Sequence, residues 1–366
     1  MIDFPYIFLI LILYIALWVS NKTLLYKKRI FYISCIIVYI FIAFRAQTVG
    51  ADTNNYVNFF IGKTKEYNSD QRELEPLLLF YNHILQIISN GAVFYLMANT
   101  FFSLYPIYYL IKHYSYNKVL SIILFFILGY YITYFVALRQ ILSIALILYG
   151  FILYKENQNR KIKWPLFISF SIIAYFMHTS AIIVSTLFII TVLIKNINKK
   201  IYVLLIISSF FIGYVFRENF YMTIFAYISG LNSSVIERIS NYLNEDLSFE
   251  SMSIITLVLP NIIALSYIKH MDSNQLNDEI SKLYLLGTIL NNIFMFFIFI
   301  QRLVIPFQIF SIITLTWPLA RKKKYNYKLI LILFTLLFSI RYIKSNINPD
   351  LSDKADMHPY ILFFEK

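Results

Sequence analysis

Charge is scarce in this 366-residue chain: 14% of its residues are charged, against roughly 25% in soluble domains. Cysteine is nearly absent. The single one, Cys35, lies in an apolar run, which excludes a disulfide framework and a cysteine-held metal. There are only 8 glycines and no glycine-rich phosphate loop, no Asp-x-Asp pair and no His/Cys cluster. These absences argue against a nucleotide-borne donor held through a metal, so neither metal nor cofactor is expected. The first 20 residues lack a basic opening and an A-x-A-like cleavage site, and they read as a first membrane span.

What the chain has in abundance is apolar length. Hydrophobic residues make up 59% and aromatics 19%, mean hydropathy is +0.66, and apolar runs of about 20 residues recur from end to end. That is the pattern of an all-α polytopic membrane protein, and no nucleic-acid partner is expected despite a net charge of +13. Spans near 4–20, 30–44, 91–111, 119–136, 140–154, 164–177, 179–194, 201–216, 252–268, 283–300, 303–320 and 327–343 make about 12 transmembrane helices, with both termini outside. Residues 76–90 are also apolar, but a further span there would reverse every later loop. They read instead as a re-entrant or interfacial helix after Glu75-Pro76. The inner loops then hold 20 Lys and Arg with four acids, while the rest of the chain holds 12 with 15 acids. This asymmetry sets the orientation, basic loops inward, and accounts for most of the net charge. The long outer segments 45–75 and 217–251 and the outer tail 345–366 place any chemistry on the outer face. No internal repeat is found, and 1–366 reads as a single transmembrane domain.

Three apolar stretches each carry one polar group near the middle. Residues 119–154 contain Arg139 as their one charge, 164–194 contain His178 and no charge, and 283–320 contain Arg302 as their one charge. Each stretch is long enough for two spans, so each midpoint falls at an outer turn. The His178 run leaves ~15 residues per span, or ~23 Å, short of the ~30 Å hydrocarbon core, so His178 is expected below the outer surface. A single arginine at such a turn can be a lipid-phosphate anchor that snorkels. Arg45 at the end of the second span and Arg341 near the outer end of the last make five polar groups at one level. Together they can converge on one anionic ligand, because a guanidinium stays ionised and donates a planar pair of hydrogen bonds to phosphate.

The segment after the second span runs Arg45-x4-Gly50-x-Asp52-Thr53-x2-Tyr56-x3-Phe60. Gly50 permits a tight turn, and Asp52 or Thr53 can cap the helix that follows. Glu73 and Glu75 stand before Pro76, where they either shape the helix entrance or place a carboxylate at a cavity lip. This segment resembles the EpsG family of Wzy-type polysaccharide polymerases. The later landmarks follow in the family's order: Glu75-Pro76, Arg139-Gln140, the turn Phe176-Met177-His178-Thr179-Ser180-Ala181, Gln301-Arg302, and a tail of His358-Pro359-Tyr360 in which His replaces the family's first Tyr.

The resemblance implies a helical fold similar to the GT-C class of lipid-dependent glycosyltransferases, multi-pass in the bacterial cytoplasmic membrane with its site facing outward. It implies a polymerase that joins oligosaccharide repeat units carried on undecaprenyl diphosphate, with membrane lipid, chain-length regulators and flippases as partners. The polymer, whether O-antigen, capsule or exopolysaccharide, is left open. On that reading Arg45, Arg139 and Arg302, with Arg341, neutralise the leaving diphosphate. His178 is the first candidate for the base that activates the acceptor hydroxyl, and Asp52 and Glu75 are the alternatives. Tyr56 and other outer aromatics either stack on sugars or anchor the interface. Direct displacement would invert the anomeric centre. The rival readings are a flippase or transporter for the same lipid, for which repeat symmetry between halves is expected, and an O-antigen ligase-type transferase.

Overall fold

An apolar run in hydrocarbon must satisfy its own backbone N–H and C=O groups, and a helix does this within one segment. The computed structural model describes residues 3–22, 26–63, 75–215, 254–295, 298–321, 325–347 and 356–364, and every regular element in them is a helix. Each of the twelve apolar runs carries helix. Among the described residues four helical stretches, Phe4–Lys22, Leu138–Glu156, Gln301–Ala320 and Tyr325–Ile347, are long and apolar enough to cross a membrane, and a bent pair raises this to five. The outer segment 217–251, residues 64–74 with Glu73, and tail residues 348–355, 365 and 366 lie outside the described residues.

The described residues form two compact units, one of residues 1–186 and 335–366 and one of 187–334. The first contains α1 (Phe4–Lys22), α2 (Lys27–Ala43), α3 (Thr53–Phe60), α4 (Pro76–Ile88), α5 (Ala92–Tyr114), α6 (Lys118–Ile127), α7 (Thr133–Val136), α8 (Leu138–Glu156) and α9 (Arg160–Met177). The helix α10 (Ala181–Leu193) crosses the division between the units. The second holds α11 (Lys199–Val215), α12 (Ile254–His270), α13 (Ser273–Leu276), α14 (Glu279–Ile293), α15 (Ile298–Gln308) and α16 (Ser311–Thr314). The last helix, α17 (Tyr325–Ile347), begins in the second unit and ends in the first.

Within the second unit, polar side chains tie the helices. Asn261 and Asn292 exchange amide hydrogen bonds of 2.9 and 2.7 Å, and Asn292 also donates to Ser209 Oγ. Near the loops, Lys282 donates to the Ile194 carbonyl at 2.7 Å and Arg321 to Asp272 at 2.8 Å. The arginine also holds the Asp272 carboxyl below its usual range.

Two expectations change. The run 119–136 is not one straight helix: it breaks between Ile127 and Tyr130 and bends by 70°. Gly129 makes the break, with φ +80 and its N–H returning to the Phe126 carbonyl at 2.8 Å; a left-handed residue ends a helix at little steric cost when it is glycine. The turn expected at Arg302 comes earlier, after Ile293, so Arg302 lies inside α15. Gln301 Nε2 closes that turn by donating to the Met295 carbonyl at 2.8 Å.

Candidate functional site

The break at Gly129 matters because it ends α6 and turns the chain, so that the short α7 lies beside the segment that follows α2. A helix end leaves its last carbonyls without intrahelical partners and carries negative partial charge. Arg45 meets two such ends. Its Nη1 donates to Ile42 O in the last turn of α2 at 2.6 Å, and its Nη2 to Tyr134 O in α7 at 2.8 Å. Its Nε reaches Val49 O at 3.3 Å, and the guanidinium lies 4.6 Å from the Phe135 ring centroid. Arg45 is fully buried. Thr53 Oγ1 donates to Phe135 O at 2.9 Å and accepts from Arg45. Gly50 has φ +103, and a Cβ there would stand 2.3 Å from Phe135 O, so both backbone angle and space require glycine. The Arg-x4-Gly-x-Asp-Thr pattern is therefore a backbone latch. Asp52 sits at the N-cap position of α3 with helical backbone and makes no capping bond.

The tail closes on the same latch. Gly50 N donates to Asp356 O, Ala46 N to Ile361 O and Phe363 N to Phe44 O, each within 3.1 Å. Tyr360 stacks on Phe41 with centroids 4.4 Å apart and donates to the Phe41 carbonyl at 2.6 Å. Asp3, 5% exposed, accepts from Tyr360 N and binds His358 Nδ1, both at 2.7 Å. The His that departs from the family's tail thus has a partner here. Nothing in the sequence reading pointed to Asp3; its signal was a lone carboxylate directly before an apolar helix.

From this latch α3 leads to the polar cluster. Tyr56, one turn into α3, accepts a 3.0 Å hydrogen bond from Arg139 Nε. Arg139 Nη1 pairs with Glu75 Oε2 at 2.9 Å, the two side chains being 15% and 14% exposed. Glu75 is the N-cap residue of α4 with Pro76 at the first helical position, but its side chain reaches Arg139 and makes no cap. Arg139 stands in the first turn of α8, the end at which a helix carries positive partial charge.

His178 belongs to the same end of these helices. Met177 packs with Leu78 and Leu142, and Leu78 and Leu142 each lie three residues past Glu75 and Arg139. So Glu75, Arg139 and His178 all stand within about one turn of a shared apolar triad. The backbone of His178 is extended, ending α9. Its Nδ1 accepts from Ser180 N at 3.2 Å and lies 2.7 Å from Ser180 Oγ. Arg341 is exposed on α17 beside the buried Tyr342, and Arg302 is half-buried in the second unit. The structure thus gathers Tyr56, Glu75, Arg139 and His178, with Asp52 one turn before Tyr56, and sets Arg45 behind them in the latch. Among the described residues no three His, Cys, Asp or Glu side chains gather to hold a metal ion.

Helices long enough to span a bilayer, with a cation–carboxylate cluster at one end, define a helical integral membrane protein. The EpsG family model matches residues 28–362, taking in both the Arg45–Phe60 segment and the His358-Pro359-Tyr360 tail, and the chain belongs to the EpsG family, a family of Wzy-type polysaccharide polymerase-like membrane proteins. No curated protein and no solved structure matches the chain.

Proposed function

We propose that this protein is the polymerase that joins undecaprenyl-diphosphate-linked oligosaccharide repeat units on the outer face of the bacterial cytoplasmic membrane, and that the Arg139–Glu75–Tyr56 cluster with His178 is its active site. The observation that carries this reading is the part-buried Arg139–Glu75 pair at the first turn of α8, in a chain of this family.

The proposal reads the chain as twelve spans with α4 as an interfacial helix. With 13 residues, α4 is ~20 Å long, too short for the ~30 Å core. Leu78 near its start packs on Leu142 and Met177, and Leu85 near its end packs with Leu138, Tyr95 and Leu96. These partners sit near the same ends of α5, α8 and α9, so α4 lies across those ends. Its other face exposes Phe80, Ile84 and Ile88, as suits the boundary between headgroups and acyl chains.

In the proposed reaction the acceptor hydroxyl attacks the anomeric carbon of the donor chain. The new C–O bond forms as the bond to diphosphate breaks, and the electron pair leaves with the lipid diphosphate. One displacement inverts that carbon. Arg139, at the positive end of α8, neutralises the leaving group where its charge grows. The diphosphate takes the guanidinium from Glu75, and the freed carboxylate accepts the hydroxyl proton. His178 takes a different part from the base expected of it. Its Nδ1 already accepts the Ser180 N–H, so the neutral ring carries its proton on Nε2 and offers a donor. Asp52 is the alternative carboxylate. Arg45 acts by holding the latch on which α3 and Tyr56 stand. Arg341, exposed, meets lipid phosphate, and Arg302 is proposed on the sequence alone to be needed for chain extension.

The test is an Arg139→Ala chain expressed in the producing cell. It accumulates single repeat units on lipid at normal protein level. Full-length polymer from this variant overturns the assignment.

A further inference from the structure

A cleft of about 410 Å³ lies between the end of α3 and the last turns of α4. It is open on one side, where His83, Ile87 and Asn90 are exposed. Phe60 and Ile61 form one wall, and His83, Gln86, Ile87 and Asn90 the other. Gln86 Nε2 donates to the Phe60 carbonyl at 2.5 Å, which ties the walls together. None of the described residues that line it is Asp, Glu, Lys or Arg, so these walls offer an anion no fixed charge. It offers instead an imidazole and two amides among aliphatic carbons. Such groups both donate and accept hydrogen bonds without a net charge, which matches a ligand made of hydroxyls on a C–H frame.

The position of the cleft ties it to the proposed reaction. Phe60 is four residues after Tyr56 on α3, so the cleft starts ~6 Å along the helix from the Arg139–Tyr56 contact. A sugar joined to a diphosphate at Arg139 needs about that reach. We propose that this cleft binds an uncharged sugar ring of the lipid-linked substrate, beside the diphosphate site and separate from it. This rests on the polymerase reading for its substrate, though not for its geometry.

The variants are His83→Ala with Asn90→Ala, both exposed residues, and Ile87→Trp at a position 73% exposed, which fills the cleft without disturbing the core. In nanodiscs with lipid-linked repeat units, each is expected to raise KM at least tenfold with kcat within twofold. Inhibition by sugar-free undecaprenyl diphosphate is expected to stay at the wild-type value. An unchanged KM, or weaker inhibition by the sugar-free lipid, overturns the proposal. A second arm needs no turnover: amide hydrogen exchange with saccharide released by mild acid from the producing cell's lipid-linked pool. Protection of residues 60–62 and 83–90 in the wild type, lost in Ile87→Trp, is expected, and no protection in the wild type overturns the cleft. If the wild type extends no chains, the polymerase reading falls and the exchange arm alone decides the cleft.

Discussion

Arg45 and Arg139 looked alike as lone cations at the outer ends of apolar runs, but the structure separates them, and the Arg45→Ala variant tests the separation. The substitution removes the partner of three buried carbonyls, Ile42 O, Val49 O and Tyr134 O. A buried polar group left unsatisfied costs ~1–3 kcal/mol, so three cost ~3–9 kcal/mol. Loss of the guanidinium over the Phe135 ring adds ~2 kcal/mol at a desolvated site. A native fold is worth only about 5–15 kcal/mol. The variant is therefore expected to fail as a folded protein, with little material in the membrane and a melting transition far below wild type in detergent. Arg45→Lys keeps the charge but cannot reach all three carbonyls with one ammonium, and it is expected to fall between. Membrane level by immunoblot and melting by intrinsic fluorescence read the effect. If Arg45→Ala melts with the wild type and loses only chain extension, the latch reasoning is refuted and Arg45 is a substrate ligand.

Three further outcomes follow from the same geometry. Gly50→Ala sets a Cβ against Phe135 O at an angle that only glycine adopts easily; its melting temperature is expected to fall, and a wild-type melting curve would count against the close approach. Asp3→Ala frees Tyr360 N and His358, a loss of ~1.5–3 kcal/mol for a bond to a charged group; the tail is expected to become protease-sensitive while α1 to α9 stay resistant. Glu75→Gln keeps a hydrogen-bond acceptor for Arg139 but no base; the rate is expected to drop ~10²–10⁴-fold with melting unchanged, and retained activity would move the base role to Asp52 or His178.

The helical class and the landmark residues were legible because they are local properties. Apolar length shows in the sequence wherever it occurs, and each of the twelve runs does carry helix. The motif Arg45–Phe60 was legible as a unit, yet its purpose was not. What Arg45 holds is the carbonyl of Tyr134, 89 residues away, and no pattern of side chains announces where a helix end will stop. The bend at Gly129 was hidden in an unbroken apolar run, since hydropathy does not register the backbone angle that one glycine permits. The Glu75–Arg139 pair spans 64 residues, and the Asp3–Tyr360 contact spans 357; both depend on tertiary packing. His178 was legible as a lone polar group in an apolar stretch, but its contact with the Ser180 N–H follows from the turn geometry.

The central claim, that Arg139 neutralises the leaving diphosphate in chain extension, is tested most directly with purified protein in nanodiscs supplied with lipid-linked repeat units. The account predicts a ladder of lengthening chains from the wild type and none from Arg139→Ala at equal melting temperature. A ladder of wild-type yield from Arg139→Ala, or no ladder from the wild type, would contradict it.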